Sequence, residues 1–307
     1  MKQQFPKLKG KAILSPMAGV TDVAFRTLCK KYGAALTCTE FVSSAALVRN
    51  DKKTREMLQI DKSENPTQVQ LFGNNVDELI QATKFLENKF DIIDINCGCP
   101  AWKVIKTGAG SELLKSPEKI GELVRQLSSV TNKPITIKIR KGIDEKNTNA
   151  IEVAKIAEKN GASAIAIHGR TQKQGYSGKA DWEIIKQVKQ SVKIPVIGNG
   201  DIFTPEDFKN HLEESGVDYI LIARGAMTNP YIFKQINDYL KIGKYDSKPK
   251  KEQFKEYLKL AKKYKVNFKQ IKNHAISFTK GEQDGAKLRK SLSECKTIKE
   301  LENVLKI

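Results

Sequence analysis

The chain has 307 residues, of which 54 are Lys or Arg and 35 are Asp or Glu, so its formal net charge is +19. It has no apolar run of the ~18 residues that would suggest a membrane span, and no charged, apolar leader with a cleavage site, so we expect a soluble, cytoplasmic protein. Its five cysteines form an odd and dispersed set, which does not suggest a disulfide framework and fits a reducing compartment.

Short apolar runs alternate with amphipathic segments along the first 240 residues, as in repeated strand–helix units. Eight runs predict strands, at residues 12–17, 35–41, 67–72, 91–96, 135–140, 163–168, 194–198 and 218–224. Apolar residues at helical spacing predict helices between several of them, at 76–88, 117–130, 147–159 and 205–214. Eight such units favour an α/β fold with a closed TIM (β/α)8 barrel over an open doubly wound sheet, and we place this barrel at residues 1–243.

Two thiols follow the fourth predicted strand, in the stretch Asn96-Cys97-Gly98-Cys99-Pro100. A free thiol titrates near pH ~8.5 and is mostly protonated at neutral pH, so it can donate a proton. The alternative is a strand end that carries two small residues without a chemical role. Metal binding is not expected, because two thiols are too few ligands and His168, His211 and His274 show no paired spacing with them.

Within four predicted strands, side chains of a shared parity form candidate sets, and alternate side chains of a strand share one face of the sheet. The sets are Gln68 and Gln70, Asp94 and Asn96, Thr136, Lys138 and Arg140, and Ala164, Ala166 and His168. Polar groups at adjacent strand ends should converge at the carboxyl-terminal rim, where barrel enzymes have their sites. Lys138 or His168 alone could be a structural group, but four such strand ends together favour a functional site.

Glycine-rich loops follow the last two predicted strands, at Gly198-Asn199-Gly200-Asp201 and Ala223-Arg224-Gly225. Glycines let backbone N–H groups approach an anion, and an arginine can clamp it; the loops after strands seven and eight often bind phosphate in this fold. Tight turns also need glycine, so each loop alone is weak evidence. In this position, the two loops predict a site for a phosphorylated cofactor or substrate.

The segment after Gly243 is strongly basic, since residues 241–307 contain 19 Lys or Arg and 8 Asp or Glu. Residues 247–250 suggest a connector, and helical spacing predicts helices at 253–268 and 271–279. We therefore predict a small helical domain at 244–307 with a polyanionic partner, nucleic acid first and an acidic membrane second. A generally lysine-rich surface is the alternative.

Taken together, the motifs resemble those of the tRNA-dihydrouridine synthases over nearly the whole length. The motifs are Ser15-Pro16-Met17-Ala18-Gly19-Val20-Thr21-Asp22, Gln68-Val69-Gln70-Leu71, Asn96-Cys97-Gly98-Cys99-Pro100, Lys138-Ile139-Arg140, His168-Gly169-Arg170-Thr171, Gly178-Lys179-Ala180-Asp181-Trp182 and Asn199-Gly200-Asp201-Ile202, with Lys272, His274, Lys280-Gly281 and Leu288-Arg289 in the tail. Several motifs in one order are much more specific than any single motif.

This resemblance implies an oxidoreductase that uses FMN and NADPH or NADH to reduce uridines in tRNA, with Cys99 as the catalytic acid. It implies FMN contacts from Pro16, Met17, Ala18, Gln70, Lys138, His168, Asn199, Gly200, Asp201, Ala223 and Arg224. It implies substrate contacts from Asn96, Arg170, Tyr176, Lys272, His274 and Lys280, with 244–307 as the tRNA-binding domain. We expect no metal and no membrane partner, and take a monomer as the default.

Three positions depart from the family pattern, namely Glu112, Ile143 and Gln172, and they bear on RNA docking more than on the flavin site.

Two other functions are compatible with parts of the sequence. One is an FMN-dependent oxidoreductase of the dihydropyrimidine or dihydroorotate type that acts on free pyrimidines, for which a basic tail has no use. The other is a non-catalytic RNA-binding barrel, against which the joint presence of Cys99, Lys138 and His168 speaks.

Overall fold

A computed structural model describes residues 3–282 and 284–307 and contains a closed parallel barrel. Within these residues the barrel strands are β1 (Ala12–Leu14), β2 (Leu36–Ser43), β3 (Thr67–Phe72), β4 (Ile92–Cys97), β5 (Ile135–Arg140), β8 (Ala164–His168), β9 (Val196–Asn199) and β10 (Tyr219–Ile222). A separate antiparallel hairpin, β6 (Gly142–Asp144) and β7 (Asn147–Thr148), follows β5. This closed barrel confirms the predicted fold class.

Helices surround the barrel and continue beyond it. Up to residue 242 they are α1 (Val23–Lys31), α2 (Ser44–Val48), α3 (Lys52–Glu56), α4 (Val76–Leu86), α5 (Trp102–Ile105), a 3-10 helix (Gly110–Lys115), α6 (Pro117–Val130), α7 (Ala150–Lys159), α8 (Trp182–Ser191), α9 (Pro205–Ser215), α10 (Arg224–Thr228) and α11 (Ile232–Ile242). The tail adds α12 (Lys250–Lys263), α13 (Phe268–Phe278), α14 (Gly285–Glu294) and α15 (Ile298–Leu305). Within the described part of the chain, no helix is long and apolar enough to cross a membrane.

Local signals explain where several elements begin and end. The Thr204 hydroxyl accepts a hydrogen bond from the Asp207 N–H, and the Asp207 carboxylate accepts one from the Thr204 N–H, which forms a capping box at the start of α9. Gly216 ends the same helix with a φ of 67°. The prediction for 147–159 began too early, because residues 142–148 form the hairpin and the helix starts at Ala150.

The barrel interior is closed at its amino-terminal end by the segment before β1. Phe5 packs against the Tyr219 ring at 5.8 Å between ring centroids, and the Leu8 N–H donates to the Tyr219 hydroxyl at 3.3 Å. These side chains join an apolar cluster with Ile13 and Leu36 that is separate from the main core between strands and helices. The opposite end of the interior is polar, and it leads into the site described below.

The carboxyl-terminal helices dock on the barrel through two carboxylates. Asp22 Oδ2 accepts a hydrogen bond from the Tyr257 hydroxyl at 3.1 Å and faces His274 Nε2 at 3.1 Å. Glu40 Oε1 accepts from Gln270 Nε2 at 2.8 Å, while Glu40 Oε2 accepts from the Gly19 N–H at 2.5 Å. The same carboxylates therefore hold α12 and α13 and the loop that follows β1.

A buried ion pair stabilises the loop before β3. Arg26 Nε donates to Glu64 Oε2 at 2.7 Å, and the two side chains are 2% and 3% exposed. The guanidinium also donates to the carbonyl oxygens of Thr21 and Gln59, and Glu64 accepts further hydrogen bonds from Thr37 and from the Asp61 N–H. The hydrogen-bond partners of Arg26 and Glu64 are thus groups of the protein itself.

We expect Arg26→Ala to lower the free energy of unfolding by about 3–5 kcal/mol, because Glu64 would be left as an unpaired buried charge. Urea denaturation followed by circular dichroism measures the change. Arg125→Ala is the matched control, since Arg125 and Glu122 pair at 2.6 Å in solvent, and it should leave the midpoint nearly unchanged. Equal destabilisation by both variants would contradict the assignment.

Candidate active site

The carboxyl-terminal rim of the barrel opens into a cavity of about 450 Å³, within the range typical of small-ligand sites. All the residues predicted to contact a cofactor line it, together with Asn96, Cys99 and Tyr176. The cofactor set is Pro16, Met17, Ala18, Gln70, Lys138, His168, Asn199, Gly200, Asp201, Ala223 and Arg224. The polar strand ends therefore meet in one cavity, while their roles in binding stay predictions.

The backbone of Cys99 is held on both sides at the edge of this cavity. Asn96 Oδ1 accepts hydrogen bonds from the N–H groups of Gly98 at 3.2 Å and Cys99 at 2.9 Å. The Cys99 carbonyl oxygen accepts from the Ser111 N–H at 3.0 Å and from the Ser111 hydroxyl at 2.9 Å. Gly110 lies so close that a Cβ there would be 2.7 Å from the Cys99 carbonyl oxygen. The thiol therefore projects from a fixed turn.

Burial raises the pKa of the Cys99 thiol, and this effect exceeds the opposing influence of a hydrogen bond from the Ala101 N–H and of nearby Arg140 and Lys138. Cys99 is half-buried, so its neutral thiol faces both protein and cavity. Cys97 differs, because it is fully buried in the core between strands and helices and lies outside the cavity. The geometry separates the two thiols that the sequence left adjacent.

Lys138 extends from β5 toward the cavity and donates to Asn199 Oδ1 at 3.2 Å. Asn199 Nδ2 in turn donates to the Leu221 carbonyl at 3.0 Å, which fixes the amide with its oxygen toward the ammonium. Burial and the charge of Arg140 together lower the pKa of Lys138 to about 8, against the opposite influence of Asp94. At neutral pH the group is therefore mostly charged.

His168 lies at the end of β8 among several positive charges. Burial lowers its pKa well below the usual value, and the charges of Lys138 and three arginines act in the same direction. Arg170 Nη1 lies 3.5 Å from His168 Nε2, which fits an unprotonated nitrogen at that position. The imidazole is thus neutral.

Asp201 organises the arginines at one end of the cavity. It pairs with Arg170 through both oxygens, at 2.9 and 2.8 Å, and with Arg224 at 2.7 Å. Burial alone would raise the pKa of Asp201, but hydrogen bonds from Arg170 and the Ala180 N–H lower it. The Arg224 guanidinium lies over the rings of Tyr176 and Phe203, at 4.8 and 5.5 Å from their centroids, and its side chain is 36% exposed.

Close packing leaves no room for a side chain at the glycines of the two predicted phosphate loops. A Cβ at Gly198 would lie 2.5 Å from the Trp182 ring, and one at Gly200 would lie 2.4 Å from the Ala180 Cβ. A Cβ at Gly225 would lie 2.2 Å from the Ile202 carbonyl oxygen. Close packing explains these glycines, so within the two loops Arg224 is the remaining signal for the predicted phosphate site.

Three of the predicted substrate-contact residues have partners within the protein. Arg170 and His274 are each 2% exposed, and they hold Asp201 and the docked helices, respectively, because buried charged or polar groups need internal partners. Lys272 donates to the carbonyl oxygens of Ser293 and Cys295, both at 3.0 Å, and so joins α13 to the end of α14. The structure thus gives these three side chains partners within the protein, while their contacts with substrate stay predictions.

Asn96, Tyr176 and Lys280, the other predicted substrate-contact residues, line cavities at the barrel rim. Asn96 and Tyr176 line the main cavity, and Tyr176 is 63% exposed. The exposed Lys280 lines a neighbouring cavity of about 260 Å³ between the loop after β1 and α13. Ala18, Val20 and Met227 line both cavities, so the two adjoin.

Arg140 lines the cavity, as its place among the polar strand ends predicted, although the sequence assigned it no specific contact. Its Nε donates to the Gly98 carbonyl at 2.9 Å, and its Nη1 donates to the carbonyls of Thr171 at 2.8 Å and Gly175 at 3.0 Å. It thus joins the turn that holds Cys99 to the loop that carries Tyr176. Its parity with Lys138 was the available signal. Phe41 of β2, Met227 of α10 and the loop residue Phe203 also line the cavity, and the sequence reasoning gave none of them a role.

Comparison with known proteins identifies relatives over most of the chain. The family model described as dihydrouridine synthase (Dus) matches residues 13–307. The chain is 42% identical over 238 residues to tRNA-dihydrouridine synthase B of Shewanella oneidensis, covering 77% of this chain and 74% of the relative. It is 42% identical over 239 residues to tRNA-dihydrouridine synthase B of Pseudomonas aeruginosa, covering 78% and 72%.

Among solved structures, histamine dehydrogenase from Rhizobium sp. 4-9 is similar in fold, with a TM-score of 0.61 at 13% identity. The similarity covers 82% of this chain and 49% of that one. At this level of identity the comparison supports the barrel architecture only.

In residues 3–282 and 284–307, no group of three or more His, Cys, Asp or Glu side chains is arranged to hold a metal ion.

We expect iodoacetamide to label Cys99 before the other four cysteines, because those are buried. The labelling rate should be lower than that of a free thiol at pH 8 and should still be rising at pH 9, since the raised pKa delays thiolate formation. Peptide mass spectrometry of the native protein measures both. Cys99→Ser is the control that should abolish early labelling, and early labelling of Cys97 would contradict the geometry.

Proposed function

The chain belongs to the dihydrouridine synthase family, and from this premise we propose that it reduces the C5=C6 bond of specific uridines in tRNA to 5,6-dihydrouridine. The observation that supports this function best is the neutral Cys99 thiol, fixed at the edge of a cavity that also presents Asn96 and Lys138. A thiol in this state can give a proton to carbon, which is general acid catalysis.

The cavity fits a flavin mononucleotide by its distribution of groups. Met17, Ile202 and Leu221 provide apolar wall, and Lys138 and Asn199 provide polar groups beside it. The partly exposed Arg224 provides a cation at one end, suited to a phosphate. When bound, FMN supplies the hydride for uracil C6, and we propose that NADPH or NADH renews it.

Cys99 completes the addition of two hydrogens across the double bond. Hydride addition at C6 leaves an electron pair shared between C5 and the C4 carbonyl oxygen, and the Cys99 Sγ–H bond breaks as its proton moves to C5. The thiolate that remains is stabilised by the nearby charges of Arg140 and Lys138, both of which favour the ionised thiol. A proton from solvent then restores the neutral thiol for the next turnover.

Lys138 places a positive charge in the cavity, where negative charge develops during reduction. Its hydrogen bond to Asn199 fixes the ammonium, and the Asn199 amide is fixed by Leu221. Neutral His168 can donate or accept a hydrogen bond near Arg224 without adding to the local charge. We propose that both contact the cofactor, together with the other cavity residues predicted from the sequence.

We propose that residues 244–307 form the tRNA-binding part, because residues 241–307 contain 19 basic and 8 acidic residues. Lys280 is exposed beside the cavity that adjoins the barrel rim. A uridine stacked in folded RNA has to leave its stack to reach Cys99, which is base flipping. Phosphate contacts by the basic tail should make binding fall steeply as salt rises.

We expect the purified protein with FMN and NADPH to add two mass units to specific uridines of tRNA that lacks dihydrouridine. Nucleoside mass spectrometry after digestion measures this gain and names the position. Cys99→Ala should reduce the rate by at least about 100-fold, as expected for loss of a general acid. Cys97→Ala should retain most of the rate, since Cys97 lies outside the cavity.

Equal loss in the two cysteine variants would contradict the role of Cys99. Turnover of free dihydropyrimidines without any change in tRNA would instead favour a small-molecule oxidoreductase. The full chain is the right material for this comparison, because removal of residues after Gly243 would leave Asp22 and Glu40 without their partners on α12 and α13.

We expect Arg224→Ala to weaken FMN binding at least about tenfold, since a hydrogen bond between charged groups contributes about 1.5–3 kcal/mol. Binding of riboflavin, which has no phosphate, should change little in the same variant. Flavin fluorescence titration of both ligands measures the two effects. Lys189→Ala, which removes a half-buried pair with Asp218 away from the cavity, is the control. Equal weakening of FMN and riboflavin would contradict the phosphate assignment.

A further inference from the structure

A column of hydrogen-bonded polar side chains runs through the upper barrel interior to the turn that holds Cys99. It consists of Gln68, Thr136, Asp94, Gln70 and Asn96, each of which is at most 8% exposed. Gln68 Nε2 donates to Thr136 Oγ1 at 3.2 Å, and Thr136 Oγ1 donates to Asp94 Oδ1 at 2.5 Å. Gln70 Nε2 donates to Asp94 Oδ2 at 2.6 Å, and Asn96 Nδ2 donates to Gln70 Oε1 at 2.8 Å.

The orientation of the two amides in this column follows from the carboxylate below them. An ionised carboxylate only accepts hydrogen bonds, so Gln70 has to turn its nitrogen toward Asp94 and its oxygen toward Asn96. Asn96 then has to turn its nitrogen toward Gln70, which leaves its oxygen for the N–H groups of Gly98 and Cys99. Burial raises the pKa of Asp94 to about 6, so the carboxylate is mostly ionised at pH 7 and above.

We propose that Asp94 is a positioning residue for Cys99, acting through the orientation of the Gln70 and Asn96 amides. The inference rests on the proposed function, in which Cys99 is the acid. Asp94 itself does not line the main cavity, so it acts at a distance from the reacting atoms. If the two amides were reversed, Asn96 Nδ2 would face two N–H donors, and the Cys99 turn would lose the acceptor that holds its amino-terminal side.

The carboxylate has no competing partner among the hydrogen bonds described. Both Asp94 oxygens are engaged within the column, one by Thr136 and one by Gln70. Lys138 donates to Asn199 instead of to Asp94, so Asp94 is not primarily the ion-pair partner of that lysine. Replacing Asp94 nevertheless removes a charge that favours protonated Lys138, and a test has to separate this effect from amide orientation.

Asp94→Asn replaces one acceptor by a donor at the base of the column. If the new amide nitrogen faces Gln70, both the Gln70 and the Asn96 amides have to reverse. If it faces Thr136, the Thr136 hydroxyl loses the acceptor for its proton. Gln70→Glu in the same chain offers acceptors to both neighbours, so Asn96 keeps its oxygen toward Cys99. The double variant also keeps one carboxylate near Lys138. Gln70→Glu alone instead places two carboxylates side by side.

We expect Asp94→Asn to lower kcat for dihydrouridine formation at least about tenfold, with little change in KM for tRNA. The double variant, Asp94→Asn with Gln70→Glu, should be faster than either single variant. Flavin affinity is measured for each variant, so that kcat is compared at full cofactor occupancy. Thr136→Val is the matched control, because it also removes a buried hydrogen bond to Asp94 but leaves Gln70 paired with it. It should keep at least half of the wild-type kcat.

The rate of Cys99 alkylation tests the same proposal without turnover. It should rise severalfold in Asp94→Asn, stay near wild type in Thr136→Val, and return toward wild type in the double variant. Unchanged alkylation and kcat in Asp94→Asn, or a double variant slower than both single variants, would overturn the positioning role. A wild-type protein that forms no dihydrouridine contradicts the proposed function, while the alkylation series still decides the role of Asp94.

Discussion

The inside of a closed eight-stranded barrel is shielded from water by its own strands and helices, so every polar group placed there needs a partner from another strand. In this protein the requirement is met by side chains of β3, β4 and β5 that pair across the interior. Six described residues have a buried side-chain atom without a partner, and none of them belongs to this column. These hydrogen bonds fix the side chains at the ends of β3 and β4, and Asn96 there holds the turn that carries Cys99.

Burial also sets the charges of the site. Removal from water raises the pKa of an acid such as the Cys99 thiol and lowers that of a base such as His168 or Lys138. One physical cause therefore leaves a neutral thiol and a neutral imidazole close to several cations. Asp201 pairs with both Arg170 and Arg224, which leaves a net positive charge, and Arg224 remains accessible beside the rings of Tyr176 and Phe203.

Eight repeated strand–helix units predicted the barrel, and the two-residue period of its strands predicted that polar side chains such as Gln70, Lys138 and His168 would meet at the rim. Most of the other predicted cavity residues came from the family resemblance. The sequence could not distinguish a cation that binds a ligand from one that binds its own protein. Arg170, Lys272 and His274 were expected at the RNA, and the structure shows that each has partners within the protein. Likewise, the need for glycine at Gly198 and Gly225 arises from neighbours distant in sequence, Trp182 and Ile202. The helices α14 and α15 were also absent from the prediction.

The docking of the carboxyl-terminal helices has a consequence for how this protein can diverge. Glu40 holds Gln270 with one oxygen and the Gly19 N–H with the other, so one side chain belongs both to the contact between the two parts and to the loop at the cavity. Asp22 similarly caps α1 and holds Tyr257. The helical part is therefore not an interchangeable module. A tail exchanged with that of a relative would need its own matching partners for Asp22 and Glu40. Substitutions at Asp22 or Glu40 should therefore be accompanied by substitutions at their partners, Tyr257 and Gln270.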